Sequence, residues 1–92
     1  MHETGLVRDL VSQLQRAAVE AGAVRVSGVV VQIGALSQFS AEHFREHFQD
    51  EVRGTPLEGM ILHMKTSEDV LDPHAQNVMI HSIDLEVPER SA

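Results

Sequence analysis

The chain has 92 residues, which is enough for one folded domain, because two cores of half that size would bury too little surface to be stable. Fourteen Asp and Glu stand against seven Lys and Arg, a net charge of −7 that repels the phosphate backbone of nucleic acids. No apolar run approaches the roughly 20 residues that span a bilayer. We therefore expect a soluble, cytoplasmic protein with a single domain over residues 1–92, and neither nucleic acid nor membrane as a partner.

The chain contains no cysteine. Disulfides, thiolate nucleophiles and sulfur-ligated zinc sites are therefore excluded, and no structural zinc is expected. Any metal ion has to be bound through nitrogen and oxygen, and the six histidines provide imidazole donors for late divalent metals.

The first 33 residues predict a helix followed by a strand. Apolar residues recur with a period of 3.6 between Leu6 and Ala21, and Gly22 suits the left-handed conformation that ends a helix. A first helix is therefore expected over about Thr4–Ala21. The next segment, Arg25–Ile33, contains four Val and one Ile, which favours a mostly buried strand.

A second helix is predicted after the loop that follows this strand. Ser40 is a good N-cap, and Phe39 before it is placed to pack on Phe44 as a hydrophobic staple. The helix is expected to end near Val52, because Gly54 and the proline that follows cannot continue it.

The last third of the chain predicts two strands. Met60–Thr66 alternates apolar and polar residues, and so does Val78–Val87. In the final strand the alternation predicts one common face for Met79, His81, Ile83, Leu85 and Val87. Between the two strands, Ser67–Asn77 is polar and rich in turn residues, and it is interpreted as a hairpin connection.

These elements, in the order helix, strand, helix, strand, strand, predict an α+β fold. Two helices would pack on one face of a three-stranded sheet. A parallel pair joined through the second helix, together with the final antiparallel hairpin, would make that sheet mixed.

One motif on the second predicted helix has the spacing of a zinc peptidase. His43-Phe44-Arg45-Glu46-His47 matches H-x-x-E-H, and its two histidines share one helix face. A peptidase also needs a third protein ligand and a cleft, for which this domain has little room. We therefore expect no enzyme activity, and interpret the pair as a solvated face or as a surface metal clamp. Two further histidines, His63 and His81, are expected to be half-buried structural residues on strands.

The N-terminal sequence Met1-His2-Glu3 can chelate a metal ion through covalent geometry alone. The Met1 amine and the His2 amide nitrogen close a five-membered ring, and that amide with His2 Nδ1 closes a six-membered one. A deprotonated amide favours planar coordination, which suits Ni(II) or Cu(II) better than Zn(II). The fourth position stays open for Glu3 or for a histidine that the fold brings near.

Several segments resemble one known family, the HypA-type nickel metallochaperones of [NiFe]-hydrogenase maturation. The similarity follows the family's order along nearly the whole chain, in Met1-His2-Glu3, Gly22–Val26, Val31–Ser37, Gly54–Gly59 and Ser82–Val87. The resemblance implies nickel binding at Met1, His2 and Glu3. It also implies delivery of Ni(II) to a hydrogenase large subunit, or sometimes to urease, with a HypB-type GTPase as partner, and it allows a homodimer.

The sequence departs from that family between its last two strands. There the family inserts a zinc domain with two Cys-x-x-Cys pairs, whereas this chain has only the short segment 67–77. This departure leaves a second interpretation open, a protein-interaction module of the same fold that needs no metal. If the fold supplies the fourth nickel ligand, His74 in this loop is the first choice and His81 the second; otherwise Glu3 or water completes the plane.

Overall fold

The computed structural model describes residues 3–88, with only the backbone given for Glu3 and Thr4. Both helices pack on the same face of a three-stranded mixed sheet and share one apolar core with it, so the predicted α+β class is confirmed. The elements in chain order are α1 (Glu3–Glu20), β1 (Arg25–Ile33), α2 (Ala41–Val52), β2 (Ile61–Thr66) and β3 (Val78–Glu86).

The predicted helix boundaries agree with local backbone chemistry. Gly22 has a φ of +65°, the left-handed conformation expected after α1. At the start of α2 the Ser40 hydroxyl accepts a hydrogen bond from the His43 N–H at 3.1 Å, so it satisfies one of the amides that a helix leaves without a partner. The rings of Phe39 and Phe44 meet edge to face at 5.8 Å, which confirms the staple.

The core is aliphatic apart from its three phenylalanines. Phe44 and Phe48 of α2 are buried with their rings 5.9 Å apart, because a spacing of four residues puts both on one helix face. They pack against buried residues of α1 and β1, namely Val7, Leu10, Val11, Leu14, Val26, Val29, Val31 and Ile33. This packing of α1 against α2 and β1 orients the start of α1 relative to the sheet.

The strand order is β2-β1-β3, so the predicted hairpin between the last two strands is wrong. β1 lies in the centre, parallel to β2 and antiparallel to β3. The segment 67–77 therefore crosses the carboxyl end of β1, where Ser67 N–H donates to the Ile33 carbonyl at 2.9 Å. The central position gives the most apolar strand a partner at both of its edges, which satisfies its backbone groups without water.

The common face predicted for β3 is also wrong over part of its length. Val31 pairs with Ile80 while Val30 pairs with Ser82, so His81 is an additional residue opposite a single step of β1. This bulge reverses the alternation: Ile80 is half-buried against the core whereas Met79 is 41% exposed. His81 and His63, predicted to be half-buried, are both exposed, and Val87 follows the end of β3 and is exposed too.

Candidate metal centre

The predicted nickel ligands lie at the start of α1. Met1 and His2 are outside the described residues, and Glu3 is the first residue of the helix. The first four N–H groups of a helix have no carbonyl partner within it. The amide nitrogen of Glu3 is therefore not needed by the hydrogen-bond ladder of α1.

A surface depression of about 540 Å³ lies beside the beginning of α1. Leu6, one turn after Glu3, lines it together with residues from the end of the 67–77 loop and from the start of β3, namely His74, Gln76, Asn77, Val78 and Met79. The depression thus lies between Leu6, near the start of α1, and the His74 turn. The crossing of segment 67–77 over β1 produces this proximity, which a hairpin between neighbouring strands would not require.

Hydrogen bonds hold His74 in a turn. Its N–H donates to Asp72 Oδ1 at 2.7 Å, and its carbonyl accepts from the Asn77 N–H at 2.9 Å. The side-chain amide of Asn77 lies 3.2 Å from His74 Nδ1. The atom of Asn77 that faces Nδ1 is the amide nitrogen Nδ2, a donor, so Nδ1 accepts and Nε2 carries the ring proton. Only an amide rotated to exchange its nitrogen and oxygen would place the proton on Nδ1 and leave the Nε2 lone pair available for a metal ion.

The two histidines of the H-x-x-E-H motif are close together on α2. Their ring centres are 5.4 Å apart; His43 is exposed and His47 is half-buried, with its ring centre 6.4 Å from that of Phe39. Among residues 3–88, no group of three or more His, Asp or Glu side chains could hold a metal ion. The described residues therefore provide no third ligand of the kind that a peptidase site needs.

One contact between the helices has no counterpart in the sequence patterns. Arg8 Nε lies 3.1 Å from Glu51 Oε1, which ties α1 to the end of α2. The two residues are 43 positions apart, so no helical periodicity links them. In the part of the chain that the structure describes, neither helix is both long and apolar enough to cross a membrane.

The fold is similar to that of the Ni metallochaperone HypA from Helicobacter pylori, solved in solution. The TM-score is 0.72 over 96% of this chain and 100% of that one, at 20% sequence identity. At this level of identity the similarity shows that the two proteins share a fold.

Sequence comparison identifies the family. The model of the HypA family, described as hydrogenase/urease nickel incorporation and metallochaperone, matches residues 1–74. The hydrogenase maturation factor HybF of Escherichia coli K12 is 33% identical over 90 residues, covering 96% of this chain and 80% of the relative. The chain belongs to the HypA family.

The matches differ in how much of each relative they include. The hydrogenase maturation factor HypA of Chloroflexus aurantiacus is 41% identical over 59 residues, which is 64% of this chain and 52% of that relative. Against the Chloroflexus proteins, the chain therefore spans about half of the relative's length.

Proposed function

We propose that this chain is a nickel-binding maturation factor, a metallochaperone that delivers Ni(II) for [NiFe]-hydrogenase assembly. The observation that carries the proposal is the family match, which begins at residue 1 and so includes Met1-His2-Glu3. In this function the protein is a carrier and not an enzyme, because its task is to bind and release an ion. We place it in the cytoplasm, in agreement with its charged and cysteine-free composition.

The proposed ligands are the Met1 amine, the His2 amide nitrogen and His2 Nδ1, with Glu3 as the next donor. Two fused chelate rings impose three nitrogens in one plane, and deprotonated amide nitrogen favours the square-planar geometry of Ni(II). Because α1 begins at Glu3, its backbone nitrogen can enter the plane without breaking a helical hydrogen bond.

His74 is our first choice for a ligand supplied by the fold. The depression beside α1 places its turn opposite the first turns of the helix, and Asn77 contacts its Nδ1. His81 is the second choice, because it is exposed at the bulge of β3 and not among the residues that line the depression. Glu3 or water completes the plane if neither imidazole does.

His74→Ala is expected to weaken Ni(II) binding at least about tenfold and to change the visible spectrum, because an intramolecular ligand acts at high effective concentration. Isothermal titration and absorbance measure the two effects. His81→Ala is the matched control and should keep the wild-type affinity and spectrum. Wild-type behaviour in both variants would contradict a fold-supplied imidazole and assign the position to Glu3 or water.

We further propose that residues 1–92 form a single nickel-binding domain in which the loop 67–77 takes the place of the family's zinc domain. The proposal draws on the short crossing of this loop over β1, with three backbone hydrogen bonds to residues 33–36. Such a domain needs no structural zinc. Its proposed partners are a HypB-type GTPase and the hydrogenase large subunit, with homodimer formation as a further proposal.

Hydrogenase activity in a bacterium that lacks its own HypA-family factor tests the proposed function. The wild-type chain is expected to restore activity at low nickel concentration, and His2→Ala is not, because the variant loses one nitrogen of the chelate. Immunoblotting for equal amounts of both proteins is the control. Equal rescue by His2→Ala would overturn nickel delivery and favour an interaction module that binds no metal.

A further inference from the structure

We propose a second metal site on α2, where the imidazoles of His43 and His47 together bind one divalent ion of the zinc, nickel and copper class. Its two ligands are not among those of the proposed N-terminal chelate. Imidazole is a ligand that these metals share, and the i, i+4 spacing places both rings on one face of the helix.

The observed separation of the two rings fits a shared ion. A metal–nitrogen bond of about 2.0–2.1 Å to each imidazole puts the two ring centres about 4.5–5.2 Å apart for bond angles between a right angle and the tetrahedral one. The ring centres of His43 and His47 are 5.4 Å apart. Side-chain rotations that bring the ring centres a few tenths of an ångström closer and turn one nitrogen of each ring to a common point would let both bind one ion, with water or carboxylate at the remaining positions.

The surroundings of the pair favour a cation. Four acidic residues of α2, namely Glu42, Glu46, Asp50 and Glu51, stand against one basic residue, Arg45. Glu51 and Asp50 are ion-paired with Arg8 and Arg53, so Glu42 and Glu46 provide the negative charge beside the pair. Glu46 lies between the two histidines in sequence and is exposed. The helix itself is anchored by the buried Phe44 and Phe48, so the two imidazoles are presented by a fixed backbone and the entropy lost on binding is reduced.

Binding of Zn(II) distinguishes this site from the proposed N-terminal site. The N-terminal chelate depends on a deprotonated amide in a planar arrangement, which Zn(II) does not favour, whereas two imidazoles and two waters suit its tetrahedral preference. Zn(II) titration of the full chain therefore reports the α2 site, and its result stands whether or not nickel binds at the terminus.

The test is isothermal titration of Zn(II) into the wild-type chain and into His43→Ala, with His63→Ala as control. His43 and His63 are both exposed, so both substitutions leave the core intact. We expect one equivalent of Zn(II) in the wild type and in His63→Ala. In His43→Ala the affinity should fall at least about tenfold, because the second imidazole of a chelate acts at high effective concentration.

Nuclear magnetic resonance of the wild-type chain gives a readout without mutation. The ring protons of His43 and His47 should shift together on Zn(II) addition, with the same half-saturation as the calorimetric titration, while those of His63 stay in place. Unchanged affinity in His43→Ala, or zinc-dependent shifts confined to other histidines, would overturn the proposal.

Discussion

His2→Ala is expected to abolish the planar nickel complex and to lower the affinity for Ni(II) by at least about a hundredfold. The substitution removes Nδ1 and with it the six-membered chelate ring, so the Met1 amine and one amide nitrogen remain as a single ring. Two fused rings also drive deprotonation of the amide between them, and one ring does so far less well. Ni(II) titration followed by absorbance measures the loss, because the planar diamagnetic species has a characteristic visible band.

A chain with residues added before Met1 is the companion experiment. The extension converts the terminal amine into an amide, a much poorer donor, and leaves every side chain unchanged. It should lose the same band as His2→Ala, whereas His63→Ala, which removes an exposed imidazole on β2, should keep it. Full Ni(II) binding with the planar spectrum in the extended chain would contradict the proposed N-terminal site.

The elements of the fold could be predicted because their causes are local. The stripe of α1, the Ser40 cap and the Phe39–Phe44 staple all involve residues within one or two turns of one another. The run of valines in β1 likewise indicated a buried strand by itself. At each of these places the propensity, the periodicity and the capping residues agree with the final structure.

The strand order could not be read in the same way, because it depends on contacts between distant parts of the chain. Two strands joined by a polar loop are compatible with a hairpin and with a crossing over a third strand. The bulge at His81 adds one residue opposite β1, and periodicity cannot reveal it because each half of β3 alternates normally by itself. The predicted common face of Met79 and His81 with Ile83 therefore failed together with the register.

In the candidate metal site, too, the features with local causes could be predicted from the sequence, and those that depend on distant contacts could not. The chelating capacity of Met1-His2-Glu3 follows from covalent geometry and was accessible from the sequence. The depression that connects Leu6 with His74 and Asn77 depends on where segment 67–77 crosses β1. His74 was predicted as the first choice for a fold-supplied ligand from its place in the loop 67–77, and the structure shows it in a hydrogen-bonded turn. A turn that is held by hydrogen bonds favours a ligand whose imidazole points in a defined direction.

This crossing depends on Gly34, at which the loop approaches the end of β1 most closely. Gly34 N–H donates to the Asn77 carbonyl at 2.9 Å. A Cβ at residue 34 would overlap the carbonyl group of Ala75 and lie 2.7 Å from the His74 oxygen, whereas ordinary van der Waals contact begins at 3.4 Å. All of these neighbouring atoms belong to the loop backbone, so no side-chain rotation relieves the overlap.

Gly34→Ala is accordingly expected to destabilise the protein by about 3 kcal/mol or more, because the added methyl group forces the His74–Asn77 turn away from β1. For a domain of this size the melting temperature should fall by roughly 10–20 °C, measured by circular dichroism. Gly22→Ala is the matched control: its added Cβ would meet nothing within 4 Å, and its φ of +65° should cost only about 1–2 kcal/mol. A melting temperature for Gly34→Ala equal to or above that of Gly22→Ala would show that the loop can move away from β1 without loss of stability.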